Sequence, residues 1–492
     1  MNIQMKQSLL TVVCLLSCMV CTAETVFSDS RYENRLGNGV SVIVDERVEL
    51  VSIAFRLAGA MEYVNDRVPE YMTEIDSCFA PYTDHELFTF IRKAREEYNF
   101  AYSIPAKSAL MLDLSGGRVR ISRDWEIEKE FDSADDLYCW TEDLFREYVD
   151  LLDDFYRESG FHEFFLSHRD FYTTTVERNT DIPSRVDMSW FERFYGEPAV
   201  GVDLYMGLCN GNSNYSIFDV MHRKDWDGRL AIVIGTTDGG DGIPVMLEQH
   251  FIAIIHEIAH YYTNPLTDMY YPQMEDAMKA IFPYIKDEMA EIGYGHVETV
   301  AGEWINELFT LAYLKDYFES GRCLFSYQHN VAYDEESGYI WMGRAMDFME
   351  NFHADRTLYP TVKEFMPQIV AFTNELPEKW DTIAAEFENR HPYVTGIYPA
   401  GGVIPEGVDI VRIRFSEPMV KGIQGLMRID GYEMLPFDFK ASYWEDDRTF
   451  VIKLGPLEPG RTYGVGLIKG AFFSSDMVSF AKDYKIVFRT GH

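Results

Sequence analysis

Cysteine, positive charge and long apolar runs are all scarce in this chain, and each shortage removes a class of function. Of seven cysteines in 492 residues, Cys14, Cys18 and Cys21 crowd the N-terminus, while Cys78, Cys139, Cys209 and Cys323 lie far apart. No CxxC pair exists, which excludes a zinc-thiolate site and a thioredoxin-like redox motif. In an exported protein the four body cysteines are compatible with one or two disulfides or with buried free thiols, and their spacing does not choose. Lys and Arg total 44 against 80 Asp and Glu, a formal net charge of −36. A surface this acidic repels a phosphate backbone, so nucleic acid is excluded as a partner, as is charge-driven binding to anionic lipid. The glycine run Thr236 to Gly242 lacks the Lys-Ser/Thr ending of a phosphate-binding loop and reads as a connection.

What is present is material for a folded core. Hydrophobic residues make up 47% and aromatics 15%, which excludes a disordered acidic tail. The length suggests two to four domains. Residues 1–23 carry one basic residue, Lys6, and an apolar run from Leu9 to Val20 that is too short to span a bilayer. This is the layout of a secretory signal. Cys21-Thr22-Ala23 offers ordinary cleavage before Glu24, and Leu15-Leu16-Ser17-Cys18 resembles a bacterial lipobox that would leave Cys18 lipid-modified. The expectation is an exported protein: secreted, periplasmic or lipid-anchored at the cell surface, touching a membrane only through that anchor.

The hydrophobic period divides the remainder near Tyr393. Before it, Leu50, Ile53, Ala54, Leu57 and Met61 recur at helical spacing, as do Leu137, Trp140, Leu144, Tyr148, Leu151 and Phe155. After it the period is two: Val411, Ile413, Phe415; Phe450, Ile452, Leu454; Tyr463, Val465, Leu467; Ile486, Phe488. The predicted fold class is α+β, a mostly helical domain over residues 24–390 followed by an all-β sandwich over 391–492. The stretches FSEPM and LEPGRTYGVGL in that sandwich resemble bacterial immunoglobulin-like modules, which implies a spacer or adhesion role.

Chemistry concentrates at one place. Three histidines are followed by Glu, at His85, His162 and His256, and only His256-Glu257-Ile258-Ala259-His260 completes H-E-x-x-H. On a helix the two histidines share a face and can hold one Zn²⁺, while Glu257, about 100° round, can reach a metal-bound water without being a ligand. Asn264-Pro265 is expected to stop that helix. The strand Leu230 to Gly235 precedes it, and its edge suits an extended substrate. A third ligand is expected downstream in GEWINELFTLAYLKDYF: Glu307 is favoured, Glu303 one turn earlier is the rival, and His296 is the alternative.

HEIAH followed by EWINELF resembles the gluzincin pattern, and Trp304 to Phe309 is similar to W-L-N-E-G-F of the aminopeptidase N family. The resemblance implies a zincin-like zinc metallopeptidase with His256, His260 and Glu307 as ligands and Glu257 as general base. Departures are the 46 residues between His260 and Glu307, the missing G-A-M-E-N exopeptidase motif, and Leu311 where thermolysin-like enzymes carry an acid. From about Val48 to Asn389 the chain also resembles a group of uncharacterised exported bacterial proteins carrying a domain of unknown function. The expected function is an endopeptidase acting on a protein or glycoprotein, with Tyr271, His296, Tyr313, Tyr327, His329 or Tyr333 as oxyanion donor and His85 as a cleft-lining candidate. The alternative is a noncatalytic cell-surface protein that binds glycan or protein.

Overall fold

The structure, a computed structural model, describes residues 24–28, 30–127, 141–211, 213–319 and 324–491. Residues 1–23, expected as an export signal, together with Cys139, Cys323 and the start of the second periodic run at Leu137 and Trp140, lie outside the described residues. About half of the chain is helix, and the C-terminal region is made of β-sheets. Two compact units divide it, one comprising Met1–Met188 and Ala199–Ile258, the other Ser189–Pro198 and Ala259–His492. Among the described residues no helix is long and apolar enough to cross a membrane.

The first unit is built on a six-stranded mixed sheet. Its strands are β1 (Glu24–Ser28), β2 (Arg31–Arg35), β3 (Val40–Asp45), β6 (Gly201–Gly207), β7 (Asn214–Ile217) and β8 (Arg229–Gly235), in the order β1-β2-β3-β6-β8-β7. β3, β6 and β8 run parallel, with Val42 opposite Leu204 and Leu204 opposite Ile232. All of β3 is buried, and so is β8 after Arg229. Continuous apolar sequence is what an interior strand needs when both faces are covered. The strand Leu230–Gly235 is therefore not an edge, contrary to the sequence expectation; the outer place belongs to β7. Gly235 ends β8 where a Cβ would lie 2.2 Å from the Gly211 carbonyl oxygen, so no larger residue fits. Two-residue ladders join β4 (Leu112–Asp113) to β5 (Arg120–Ile121), and β9 (Thr237–Asp238) to β10 (Pro244–Val245).

A buried helix, Glu46–Leu57, follows β3 directly, with the Asp45 carboxylate accepting from the Arg47 N–H to cap its first turn. Its predicted apolar residues up to Ala54 are buried, but Met61 lies past its end and is exposed. The second predicted helix spans Glu142–Glu158 and buries Tyr148, Leu152 and Phe155.

In the second unit the residues that alternate in the sequence build one apolar core. Val411, Ile413 and Phe415 come from β13 (Ile410–Phe415), and Phe450, Ile452 and Leu454 from β17 (Thr449–Leu454). Tyr463, Val465 and Leu467 come from β18 (Thr462–Leu467), with Ile486 and Phe488 from β19 (Tyr484–Thr490). One sheet is ordered β11 (Val394–Tyr398), β13, β17, β16 (Phe437–Trp444). The other is ordered β12 (Val403–Ile404), β19, β18, β14 (Leu426–Met427), with β15 (Glu433–Met434) also pairing β18. Within this unit the helix Leu324–Glu336 is tied to the β region, because Glu336 accepts from the Ser479 hydroxyl at 2.5 Å. Its neighbour Glu335 meets Arg390 at 2.8 Å.

Candidate metal centre

The helix that carries the H-E-x-x-H sequence runs from Glu248 to Glu291, 44 residues, through Pro265, Pro272 and Pro283. The expected stop at Asn264-Pro265 is thus a point the helix passes. An interior proline costs about 3 kcal/mol in lost hydrogen bonding and steric clash. Here Leu266, Met274, Met278, Ile281, Ile285 and Met289 are buried beyond it. Each such side chain contributes roughly 1.5–3 kcal/mol, which outweighs the prolines. A carboxylate-capped turn precedes this helix, with Asp238 Oδ1 accepting from the N–H groups of Gly240 (2.9 Å) and Gly242 (2.8 Å). That turn is the connection expected from the glycine run.

Phe251, Ile254, Ile255, Ile258, Ala259 and Tyr262 are buried, so the helix is packed nearly all round at this level. His256, His260 and Glu303 form a group whose ligand atoms all lie within 4.8 Å of one another, and among the described residues no other such group occurs. His260 Nε2 stands 3.7 Å from Glu303 Oε2. On the other side of the ring, His260 Nδ1 donates to Asn264 Oδ1 at 3.0 Å, which leaves Nε2 with its lone pair on the Glu303 side. Two imidazoles and a carboxylate are a donor set that zinc takes, and ligand atoms around tetrahedral zinc sit about 3.4 Å apart. The residues fit a metal ion after a small closure.

Glu303 lies on the helix Val297–Glu319, where Trp304, Ile305, Asn306, Leu308 and Phe309 are buried and Gly302, Glu303 and Glu307 are partly exposed. Glu307, expected as third ligand, is not a member of the group, whose acid is Glu303, the rival named in the sequence. The two acids share a helix face, and the turn that meets His260 depends on the axial register of two helices. Aromatic packing sets that register. Tyr195 stacks on Tyr262 with ring centres 4.8 Å apart, Phe194 meets Phe309 at 5.3 Å, and Trp190 meets Tyr313 at 4.9 Å. Each pair is worth about 0.5–1.5 kcal/mol beyond its buried area. A straight helix would carry Glu291 about 46 Å from His260. The short connection and the first turns of the next helix cannot return that distance, so the 44-residue run bends. Its prolines are where the backbone ladder is interrupted.

Glu257 stands beside the group without belonging to it, and is only 8% exposed. Ser216 of β7 donates to its backbone carbonyl at 2.6 Å, which ties the outer strand to the helix. Of the other predicted residues, Tyr313 is buried against Trp190 and Phe191. Tyr271 is on the long helix, His296 precedes the next one, and Tyr327, His329 and Tyr333 lie on Leu324–Glu336; none is in the group. His85 caps a helix, its Nδ1 accepting from the Leu87 N–H at 3.1 Å. Cys78 and Cys209 are free thiols.

One contributor, Asn264, and one neighbour, Tyr339, are not legible in the sequence. Asn264 reads only as a helix end, although its spacing of four from His260 places it on the same helix face. Tyr339 had no signal; it donates to the Val300 carbonyl at 3.0 Å, and burial, then the nearby Glu303, Tyr294 and Glu307, hold its phenol protonated.

Taken together, these features define an α+β protein with a His-His-Glu group able to hold a metal ion. Residues 40–372 match the domain of unknown function DUF4932, and the chain belongs to that family. No curated protein matches it. Among solved structures the chain is similar to the S-layer protein rSbsC(31-844), with 16% identity, a TM-score of 0.18, and coverage of 48% of this chain and 33% of that one. It is similar also to domains 1-6 of surface layer protein SbsC, at 12% identity and a TM-score of 0.16, with coverage of 48% and 33%. The chain spans about a third of the length of these structures, and likeness at this level carries no argument about function.

Proposed function

We propose that the protein is an exported zinc-dependent hydrolase, an endopeptidase acting on protein or glycoprotein substrates. The observation that carries the reading is the His256–His260–Glu303 group with the buried, non-ligating Glu257 beside it. Zinc held there would lower the pKa of a coordinated water and polarise a substrate carbonyl. The Glu257 carboxylate, buried beside the group, would act as the base for that water and pass the proton to the leaving amine. Asn264 fixes the His260 ring through Nδ1. The β7 edge, tied to this helix through Ser216, is the place for an extended substrate to pair. In this reading residues 1–23 are the removed or lipid-modified leader, 24–390 the zincin-like domain, and 391–492 an immunoglobulin-like spacer.

Metal analysis of the purified chain, paired with cleavage of a peptide library, tests the reading. One zinc per chain is expected, with hydrolysis that Glu257→Gln lowers by a factor of about 10² to 10⁴ while zinc content stays unchanged. A chain that takes up no zinc, or a Glu257→Gln variant with full turnover, would overturn it.

A further inference from the structure

In the first unit His85, His162 and His168 each meet a carboxylate, and only the partner of His162 is buried. The helix Phe161–Ser167 brings His162 to Glu46, with Nδ1 donating to Oε1 at 2.8 Å. The Tyr156 hydroxyl donates to the same oxygen at 2.9 Å. Glu46 is 1% exposed, and its other oxygen, Oε2, is buried with no hydrogen-bond partner. Burial raises the carboxyl pKa, against the pull of His162 and Tyr156. These three residues line an open cavity of about 880 Å³.

The cavity also holds four guanidinium groups, of Arg31, Arg47, Arg123 and Arg223. Three are engaged by acids: Arg31 by Asp203 at 3.3 Å, Arg47 by Asp45 at 2.8 Å, and Arg223 by Asp225 at 2.6 Å. Arg123 is exposed and has no ion pair among the described residues. One cavity thus presents an unmatched cation at Arg123 and an unmatched acceptor at Glu46. Among the described residues no third His, Cys, Asp or Glu joins Glu46 and His162 in a metal-sized group.

We propose that this cavity is a metal-independent binding site for a small zwitterion of amino-acid or short-peptide size. The ligand's carboxylate meets Arg123 and its ammonium donates to Glu46, which His162 and Tyr156 hold in place. Charge-assisted hydrogen bonds of this kind make each end worth about tenfold or more in affinity. The cavity is large enough for a dipeptide with room for side chains.

Calorimetric titration of the full chain, in the presence of EDTA, tests the proposal with three probes: L-alanyl-L-alanine, its N-acetyl form and its C-terminal amide. The dipeptide is expected to bind, with both blocked forms about tenfold weaker or worse. Glu46→Gln should weaken the dipeptide by about tenfold without changing the N-acetyl form, and Arg123→Ala should weaken it without changing the amide. Because Arg123 is exposed, that variant folds even if Glu46→Gln does not. Absence of dipeptide binding to the unaltered chain, equal binding of all three probes, or undiminished binding by Arg123→Ala would overturn the assignment.

Discussion

The helix bearing His256 and the helix bearing His162 both follow histidine with glutamate and both set an imidazole near a carboxylate, yet only the first is equipped for a metal. At His256 the second histidine comes four residues later on the same face, and Glu303 arrives from another helix, so three donor atoms converge. At His162 the ring nitrogen nearest the acid is already spent on Glu46, and Tyr156 occupies the same oxygen. In the third such pair, His85-Glu86, one ring nitrogen caps a helix and the other faces only the exposed Glu158, at 3.7 Å. The same dipeptide therefore contributes to a group that could hold a metal, grips a buried carboxylate, or caps a helix, according to what the fold delivers around the ring.

The contrast breaks most sharply at Glu303, the proposed third ligand. Glu303→Ala is expected to abolish stoichiometric zinc, weakening affinity by about a thousandfold. Glu307→Ala and His162→Ala should leave zinc content unchanged. Metal analysis after dialysis reads all three; zinc lost from Glu307→Ala but kept in Glu303→Ala would reverse the assignment.

The buried acids of the first unit give the next largest effect. Glu49 lies one turn after Glu46 on the same helix but has no histidine; it accepts from the Tyr71 hydroxyl at 2.6 Å and the Leu208 N–H at 3.3 Å. Burial pushes its carboxyl from 4.5 up to about 7. The folded chain therefore keeps the proton to higher pH than the unfolded chain, and stability falls as pH rises from about 4.5 through 7. Glu49→Gln removes that penalty. Denaturant titration should show the variant about 3 kcal/mol more stable than the parent at pH 8 and equal to it at pH 4. A pH-independent difference would contradict the ionisation argument.

At the metal centre, Asn264→Ala should weaken zinc by about 10- to 100-fold in chelator competition, with Asn264→Asp retaining affinity because it keeps the acceptor. Equal affinity in all three proteins would mean that the ring is held by its packing alone. The smallest effect belongs to the capping histidine: His85→Ala should cost about 1 kcal/mol in thermal unfolding and nothing in zinc.

Periodicity made the C-terminal core legible, because a two-residue alternation leaves few ways to bury Val411, Phe450, Val465 and Phe488 except in facing sheets. The helical half was harder. A proline rule read Pro265 as an end, and the burial of Met274, Met278 and Ile281 beyond it overrode that local cost. An apolar run read as a strand with a usable edge, and its burial on both faces placed it inside the sheet.

The sequence by itself determined that His256 and His260 share a helix face with Glu257 beside them, since 3.6 residues per turn leave no freedom in that spacing. It also pointed downstream for a third donor, to Glu307 or Glu303 on the later helix with His296 as the alternative. Which acid could be decided only by tertiary structure: Glu303 and Glu307 are equivalent along their own helix, and the choice lies in how far that helix slides against the bent one. The stacking of Tyr195 on Tyr262 and the packing of Phe194 on Phe309 set the slide. That Glu46, His162 and Arg123 line one cavity belongs to the same category, because three segments far apart in sequence supply its charges and no local pattern links them.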